Sequence, residues 1–288
     1  MASRQQIKRR IGSVRNTRQV TKAMQLVSAS KLRRVQAAVQ ATQAYSKYAR
    51  ELLTHLKKQH GATGFDFYRE RPVKRRLLIV VTSDRGLAGA YNANVLKLYL
   101  NELKKDAAAG VSTVTIVFGR KGSSLVSRLK DTEVVGSYTN LPDSPSLTDL
   151  EAAIGTAIKQ FKDGTVDAVD VVYTHFINTI NQQTTVQRLL PAGFSEEEVS
   201  ESIKSSEFEP SMEEVLERTT VRLVEAQVLQ TVLESIVSEQ AIRMIAMKNA
   251  TDNANNIIDD LTLEYNNARQ AAITQELAEI TGGAEAMK

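Results

Sequence analysis

The sequence predicts an α/β fold: a long antiparallel coiled coil of the N- and C-terminal helices plus a central Rossmann-like domain with about five strands. Residues 3–58 and 211–281 each keep a seven-residue apolar repeat, which is typical of coiled coils. Between them, short apolar strands alternate with helical stretches, as in three-layer α/β domains. We therefore expect coiled-coil helices over residues 1–60 and 211–288 and a globular domain over residues 61–210.

The N-terminal helix is predicted from residue 3 to residue 58. Steps of four and three residues from Ile7 trace an apolar seam that becomes polar between residues 18 and 28. In that stretch another face is apolar, and it consists of Val20, Ala23, Met24 and Val27. This shift predicts a local change of winding or of partner.

The central domain contains five predicted strands, at residues 77–82, 114–118, 133–138, 169–176 and 184–190. Helices are predicted at residues 93–106, 121–130 and 147–161. The last two strands are separated by a short polar stretch and are expected to pair as a hairpin. Residues 193–210, which are acidic and rich in serine, are expected to form a surface link.

The C-terminal helix is predicted over residues 211–281, a stretch without Gly or Pro. Ser211 and Glu214 fit a capping box, and Gly282 and Gly283 are expected to end the helix. At about 1.5 Å per residue, such a helix is on the order of 100 Å long. A compact core cannot bury that length, so much of the helix must lie against another helix or inside a partner.

The charge distribution supports pairing of the two ends. Residues 1–50 contain 12 basic side chains and no acidic ones, whereas residues 211–288 contain 13 acidic against 6 basic side chains. The opposite signs favour an N-terminal helix that packs on the C-terminal one, with the remaining basic side chains in solvent. Isolated surface ion pairs contribute only about 0–1 kcal/mol each.

The composition argues against several classes of site. The chain has no Cys, which excludes disulfides and thiolate metal sites, and its three His residues have no metal-ligand spacing. No metal or cofactor is therefore expected. No apolar window has the length of a membrane span, and the N-terminus lacks the apolar core of a secretory signal or the cleavable boundary of a transit peptide.

Residues 83–94 form a glycine-bearing loop after the first predicted strand, where some α/β proteins bind phosphate. The loop matches neither a Walker A motif nor G-x-G-x-x-G. We expect Arg85 and Asn92 to face a partner or to brace the turn, and Asp84 has no acid or base at a catalytic spacing. Three functional classes stay open: an interaction element of a larger assembly, a basic coiled-coil nucleic-acid-binding or scaffold protein, and an enzyme with a dimerising coiled coil.

Three motifs resemble those of the gamma subunit of F-type ATP synthases. The first is IGSVRNTRQVTKAMQLVSASKLRR at residues 11–34, and the second is SDRGLAG at residues 83–89. The third, in the C-terminal helix, combines SEQAIRMIAM at residues 238–247 with LEYNNARQAAITQELAEITGGA at residues 263–284. The motifs occur in order across nearly the whole chain. Ala88 stands where many relatives have Cys, and the chain lacks the inserted segment and the Cys pair of plant relatives, which favours a bacterial protein.

The resemblance implies a non-catalytic central rotor shaft. The coiled coil is expected inside a ring of three alpha and three beta subunits, and the α/β domain on the c-ring beside epsilon. It implies no cofactor, no nucleic acid, and a position on the cytoplasmic side of a bacterial cell membrane, reached only through the complex. Contacts with alpha and beta are expected at Met24, Arg85, Arg243, Arg269, Gln270 and Thr274.

The last three of these residues also have a geometric basis. Ala268 and Ala272 lie on the predicted seam, and Gln270 and Thr274 fall on the far side of the helix at about 100° per residue. Arg269 flanks them. Spacing alone leaves open whether this face meets solvent or a partner, and the resemblance favours a loop of a beta subunit.

Overall fold

The computed structural model describes residues 4–60, 66–68, 71–129, 132–192 and 212–286. The helices are α1 (Arg4–His60), α2 (Tyr91–Ala108), α3 (Arg120–Val126), α4 (Leu147–Lys162) and α5 (Met212–Ala286). The strands are β1 (Arg75–Val81), β2 (Ser112–Phe118), β3 (Glu133–Tyr138), β4 (Ala168–Phe176) and β5 (Gln182–Leu190). All five predicted strands and both long helices are confirmed. The expected surface link and Ser211 lie outside the described residues.

The five strands form one sheet in the order β3-β2-β1-β4-β5. Strands β1 to β4 are parallel, and β5 runs antiparallel to β4 as the predicted hairpin requires. The chain moves from β1 outward to β3, then crosses back to place β4 on the other side of β1. This order is that of doubly wound α/β domains, so the Rossmann-like prediction is confirmed.

Alternate residues of β1 face two separate cores, because successive side chains of a strand point to opposite faces. Leu77, Ile79 and Val81 pack in a cluster that includes residues of α4 and α5. Leu78 and Val80 pack in a second cluster with residues of α2 and α3. Both faces of the sheet are therefore covered, as expected for parallel strands that read as continuous apolar runs.

A buried charge cluster lies at the amino end of β1. Arg76 donates hydrogen bonds to Glu102 and Asp106 on α2 and to Asp170 on β4. Arg188 on β5 also pairs with Asp170. Burial alone would lower the pKa of Arg76, but the carboxylates of Asp170 and Asp106 and the bond to Glu102 raise it above its ordinary value. The cluster ties α2, β1, β4 and β5 together.

Two helix ends differ from the prediction. Gly282 and Gly283 do not end α5, which continues to Ala286. Glycine in a helix costs only about 1 kcal/mol relative to alanine, and Ala284 and Glu285, which follow the glycine pair, are good helix formers. Helix α3 is shorter than predicted because turns close at Arg128 and Leu129, whose amides donate to the carbonyls of Leu125 and Val126.

The described chain forms two compact units. One consists of Met1–Ser28 with Arg243–Lys288, and the other of Ala29–Ile242. The second unit contains the whole sheet together with the adjoining stretches of α1 and α5. The division into residues 1–60, 61–210 and 211–288 describes segments of sequence and stays a prediction.

Candidate partner-contact site

The unit that contains the start of α1 and the end of α5 has an apolar seam. Ile7 and Ile11 of α1 are buried against Ile258 and Leu261 of α5. Partly buried neighbours extend the cluster, namely Val14, Tyr265 and Ala268. All of these residues stand on the seams predicted from the four-three spacing. The contacts confirm the antiparallel coiled coil, because rising numbers on α1 meet falling numbers on α5.

Further along, the seam becomes polar but stays in place. The hydroxyl oxygens of Thr21 and Thr251 lie 2.8 Å apart, and both residues are buried. Each hydroxyl also lies within hydrogen-bond distance of a carbonyl of its own helix, that of Arg18 or of Met247. One hydroxyl therefore donates across the interface while the other donates along its helix. Ser28 is buried as well.

The apolar residues of the same stretch face away from α5. Val20 is 58% exposed and Val27 is 54% exposed. Leu26 is exposed to a similar degree, and Met24 is half-buried. The seam thus keeps its spacing between residues 18 and 28. The shift of the apolar face along α1 had two possible explanations, a local change of winding or a change of partner. Since the seam keeps its spacing, the explanation that remains is a partner other than α5 for the exposed apolar residues.

The basic face of α1 is not neutralised by α5. The exposed basic side chains between residues 4 and 28 are those of Arg4, Lys8, Arg9, Arg10, Arg15 and Lys22. Between described residues 4–28 and 244–280, no ion pair joins the two helices. Across these described ranges, the side chain of Arg18 reaches the other helix, where its Nη1 donates to the neutral amide oxygen of Asn255 at 3.2 Å. The expected ion pairs are therefore missing between these ranges, since the seam residues around Arg18 are apolar or uncharged.

The face predicted near the end of α5 is exposed. Arg269, Gln270 and Thr274 are all accessible, whereas Ala268 and Ala272 are half-buried. Exposed apolar side chains accompany them, at Ile273, Leu277 and Ile280. Every residue from 273 to 282 is exposed. This end of α5 offers both hydrogen-bonding groups and apolar surface to a partner.

The remaining predicted contact residues differ in accessibility. Met24 belongs to the helix-pair unit, and so does Arg243, which is only 6% exposed. Arg85 belongs to the other unit and is exposed on the loop after β1. Whether these residues touch a partner stays a prediction.

The loop after β1 is held by its own hydrogen bonds. The backbone amide of Ser83 donates to Asn92 Oδ1 at 3.0 Å, so Asn92 braces the turn. The two carboxylate oxygens of Asp84 accept the backbone amides of Arg120 and Asn140, each at 2.9 Å. Asp84 therefore fastens two neighbouring loops. The arrangement is that of a structural loop, in line with the absence of a phosphate-binding motif.

The place where doubly wound sheets usually bind a ligand is filled by α5. Such ligands lie beyond the carboxyl ends of the strands where the strand order reverses, here between β1 and β4. In this chain, Ser235 Oγ lies 2.7 Å from the hydroxyl of Tyr91 and accepts the amide of Thr174 at 3.3 Å. Ser238 Oγ donates to the carbonyl of Thr174 at 3.1 Å. The crevice is thus occupied by the protein itself.

A second polar contact adjoins this crevice. His175 Nδ1 lies 2.6 Å from Glu234 Oε2, and Gln230 Nε2 donates to Glu234 Oε1 at 2.8 Å. The Glu234 side chain is only 3% exposed. Burial, and secondarily the charge of Glu234, raise the pKa of Tyr173 above its ordinary range.

Sequence reasoning missed this polar face of α5. A partial signal was present: at about 100° per residue, Val232, Leu233, Ile236 and Val237 form an apolar face about 140° wide. So wide an apolar face predicts deep burial, and polar residues beside it must then find partners.

Neither a metal centre nor a membrane span stands out in the part of the chain that the structure describes. No group of three or more His, Asp or Glu side chains is placed to hold a metal ion there. No described helix combines the length and apolar character that a membrane crossing requires.

Comparison with known proteins places the chain in one family. Residues 3–287 match the family model described as ATP synthase. The chain is 42% identical over 289 residues to the ATP synthase gamma chain of Glaesserella parasuis serovar 5, covering 100% of both chains. It is 43% identical over 290 residues to the ATP synthase gamma chain of Stenotrophomonas maltophilia, again over 100% of both.

Solved structures have the same fold. A chain from the central stalk and c-ring of the Tetrahymena thermophila mitochondrial ATP synthase superposes with a TM-score of 0.60 at 25% identity, over 80% of this chain and 99% of that one. A chain of the Euglena gracilis mitochondrial ATP synthase reaches a TM-score of 0.70 at 20% identity, over 98% and 93%. With full-length identity above 40% and a family match from end to end, the chain belongs to the ATP synthase gamma chain family.

Proposed function

We propose that this chain is the central-stalk rotor subunit of a proton-translocating F-type ATP synthase. In this role it couples the rotation of a ring of c subunits to the conformational cycling of the catalytic beta subunits. The chain is a non-catalytic part of the complex. Membership of the gamma chain family supports the proposal, and so does the crevice at the switch point, which Ser235 and Ser238 fill.

The observation that carries the proposal is the surface of the helix pair. The two helices bury a single seam and leave apolar side chains exposed on their outer faces, among them Val20, Val27 and Ile273. Exposed apolar surface next to unneutralised basic residues is typical of a protein interface. A surrounding ring of three alpha and three beta subunits would cover it, with epsilon and the c-ring on the α/β domain.

We further propose six contact residues toward the alpha and beta subunits: Met24, Arg85, Arg243, Arg269, Gln270 and Thr274. The exposed polar face near the end of α5 is the best supported part, because its three side chains are accessible and lie beside exposed apolar ones. Hydrogen bonds there, some to charged groups, contribute about 1–3 kcal/mol each. Arg243 is the most buried of the six, so we expect the smallest loss of affinity from its substitution.

The sequence segments have separate proposed roles. Residues 1–60 and 211–288 act as the shaft, and residues 61–210 as the part that meets the c-ring and epsilon. The chain is then peripheral on the cytoplasmic side of a bacterial cell membrane, held there only by the complex. It binds no nucleic acid in this role.

Co-expression with the alpha, beta and epsilon subunits of the same enzyme tests the proposal. The tagged chain should recover all three, and the pure chain should have no ATPase activity. Replacing Arg269, Gln270 and Thr274 by Ala should weaken assembly or ATP-driven rotation while the circular dichroism of the chain is unchanged. Asn101→Ala with Lys104→Ala, on exposed positions of α2 outside the proposed shaft, is the control for recovery of alpha and beta. Recovery of nucleic acid in place of alpha and beta would overturn the rotor assignment.

A further inference from the structure

The part of helix α5 that belongs to the unit Ala29–Ile242 is deeply buried over eleven residues. From residue 231 to residue 241 every residue except Ile236 is buried. Three valines one turn apart, Val224, Val228 and Val232, face the cluster beneath the sheet. Apolar contacts of this kind hold a helix in place by close packing, but they lack the directional preference of hydrogen bonds.

Further along α5, serines replace valines on the same face of the helix. Ser235 and Ser238 follow the valines at steps of three residues and are both fully buried. Their hydroxyls meet Thr174, a residue of β4 just beyond the last pair that β4 forms with β1, Val80 with Val172. Both the amide and the carbonyl of Thr174 bond to α5, on a residue that also pairs with Thr184 of β5 in the sheet.

Two side-chain contacts flank this backbone contact. The hydroxyl of Tyr91, at the start of α2, lies 2.7 Å from Ser235 Oγ. On the other side, Glu234 meets His175 of β4 at 2.6 Å. Glu234 and Ser235, which are adjacent and buried on α5, are therefore bonded to two different elements of the domain, α2 and β4, although the His175 side chain itself is partly exposed.

Buried hydrogen bonds are directional, and breaking one leaves an unpaired polar group without water. A rotation or axial shift of α5 would break the contacts of Glu234, Ser235 and Ser238 together. We propose that these three residues form a clamp that fixes the rotational position of α5 against the sheet. They are positioning residues, since they act through the helix.

The mechanical meaning of the clamp rests on the proposed rotor function. Torque applied to the α/β domain must pass into α5, and torque from the other end of α5 must pass back. A helix held by apolar packing alone would be less stiff toward rotation than one also held by directional bonds. The clamp adds such bonds where α5 crosses the carboxyl edge of the sheet.

The first test uses the free full-length chain. The chain has no Cys, so two introduced cysteines are its only sites for thiol-reactive spin labels. We place them at the exposed positions Arg222→Cys on α5 and Ile180→Cys on the β4–β5 hairpin. In the Ser235→Ala/Ser238→Ala variant, we expect the distribution of label distances to widen by about two-fold, since the directional bonds are lost while the valine contacts remain. Thr231→Val is the matched control, because the Thr231 hydroxyl is buried but donates within α5, to Val228.

The second test measures torsional stiffness in the assembled complex, with one end of α5 fixed and a probe on the α/β domain. The torsional stiffness of the Ser235→Ala/Ser238→Ala variant should be about two-fold lower than that of wild type. The stiffness of Thr231→Val should equal that of wild type, whatever the thermal stabilities of the variants. Tyr91→Phe, which removes the same contact from the α2 side, replaces the double variant if that variant does not assemble. An unchanged distance distribution or unchanged stiffness overturns the clamp. A wild-type chain that fails to rotate with alpha and beta overturns the rotor function, while the widening in the free chain still supports the fixed helix.

Discussion

The hydroxyl oxygens of Thr21 and Thr251 lie 2.8 Å apart in the seam between the two terminal helices. They are the centre of a polar layer that separates the apolar cluster around Ile7 and Ile258 from the rest of the seam. Polar groups at single seam positions commonly fix the register of a coiled coil at a cost in stability.

Valine substitutions at these two threonines test that layer. Thr21→Val alone should lower the free energy of unfolding by about 1 kcal/mol, because Thr251 loses its partner across the interface. The double variant should be less destabilised than the sum of the two single variants, since no hydroxyl is then left without its partner. Urea denaturation of the four proteins measures the coupling. Strict additivity would contradict the contact.

The buried Arg76 should matter far more than its neighbour Arg75. Arg76→Met leaves the carboxylates of Glu102, Asp106 and Asp170 short of a positive partner, which we expect to cost about 3–5 kcal/mol. Arg75→Met removes a largely exposed pair with Glu133 and should cost less than about 1 kcal/mol. Chemical denaturation compares the two variants. Equal losses would show that the buried cluster has no special role.

The same cluster predicts a pH dependence. Burial alone would raise the pKa of Glu102, but hydrogen bonds from Lys105 and Arg76 lower it below its ordinary value of 4.5. A carboxyl whose pKa is lowered on folding stabilises the fold above its unfolded pKa, and this contribution is lost as the pH falls through the folded pKa. The gap in melting temperature between wild type and Glu102→Gln should therefore be widest near neutral pH and shrink below pH 4.5. A gap that widens on acidification would contradict the assignment.

Two glycines should respond in opposite ways to alanine. Gly119 has a φ of +91°, and an added Cβ would lie 2.1 Å from the carbonyl oxygen of Thr82, so Gly119→Ala should destabilise the sheet domain strongly. Gly12 sits within α1 with nothing within 4 Å of an added Cβ, so Gly12→Ala should stabilise the chain by about 0.5–1 kcal/mol. Thermal melts of both variants check the signs. If both substitutions changed the melting temperature in the same direction, backbone conformation would not explain the effect of alanine at these two positions.

The sequence by itself determined the elements and the seam. Apolar spacing located both long helices, and the residues buried between the start of α1 and the end of α5, such as Ile11 and Leu261, stand on the seam that the four-three spacing predicts. Alternating strands and helices predicted a Rossmann-like sheet. These features could be predicted because burial of one face of a helix or strand requires apolar residues at a regular spacing, and that spacing is visible in the sequence.

Only the tertiary structure decided which polar residues meet. Nothing in the spacing of Ser235, Thr174 and Tyr91 indicates that they converge where the strand order reverses. The same holds for Arg76, whose partners lie on two other elements. Charge totals predicted ion pairs between the terminal helices, yet the described seam is closed by apolar side chains and by Thr21 with Thr251. A polar contact between distant residues depends on where the fold places both partners, whereas the apolar spacing of the sequence indicates only which residues are buried.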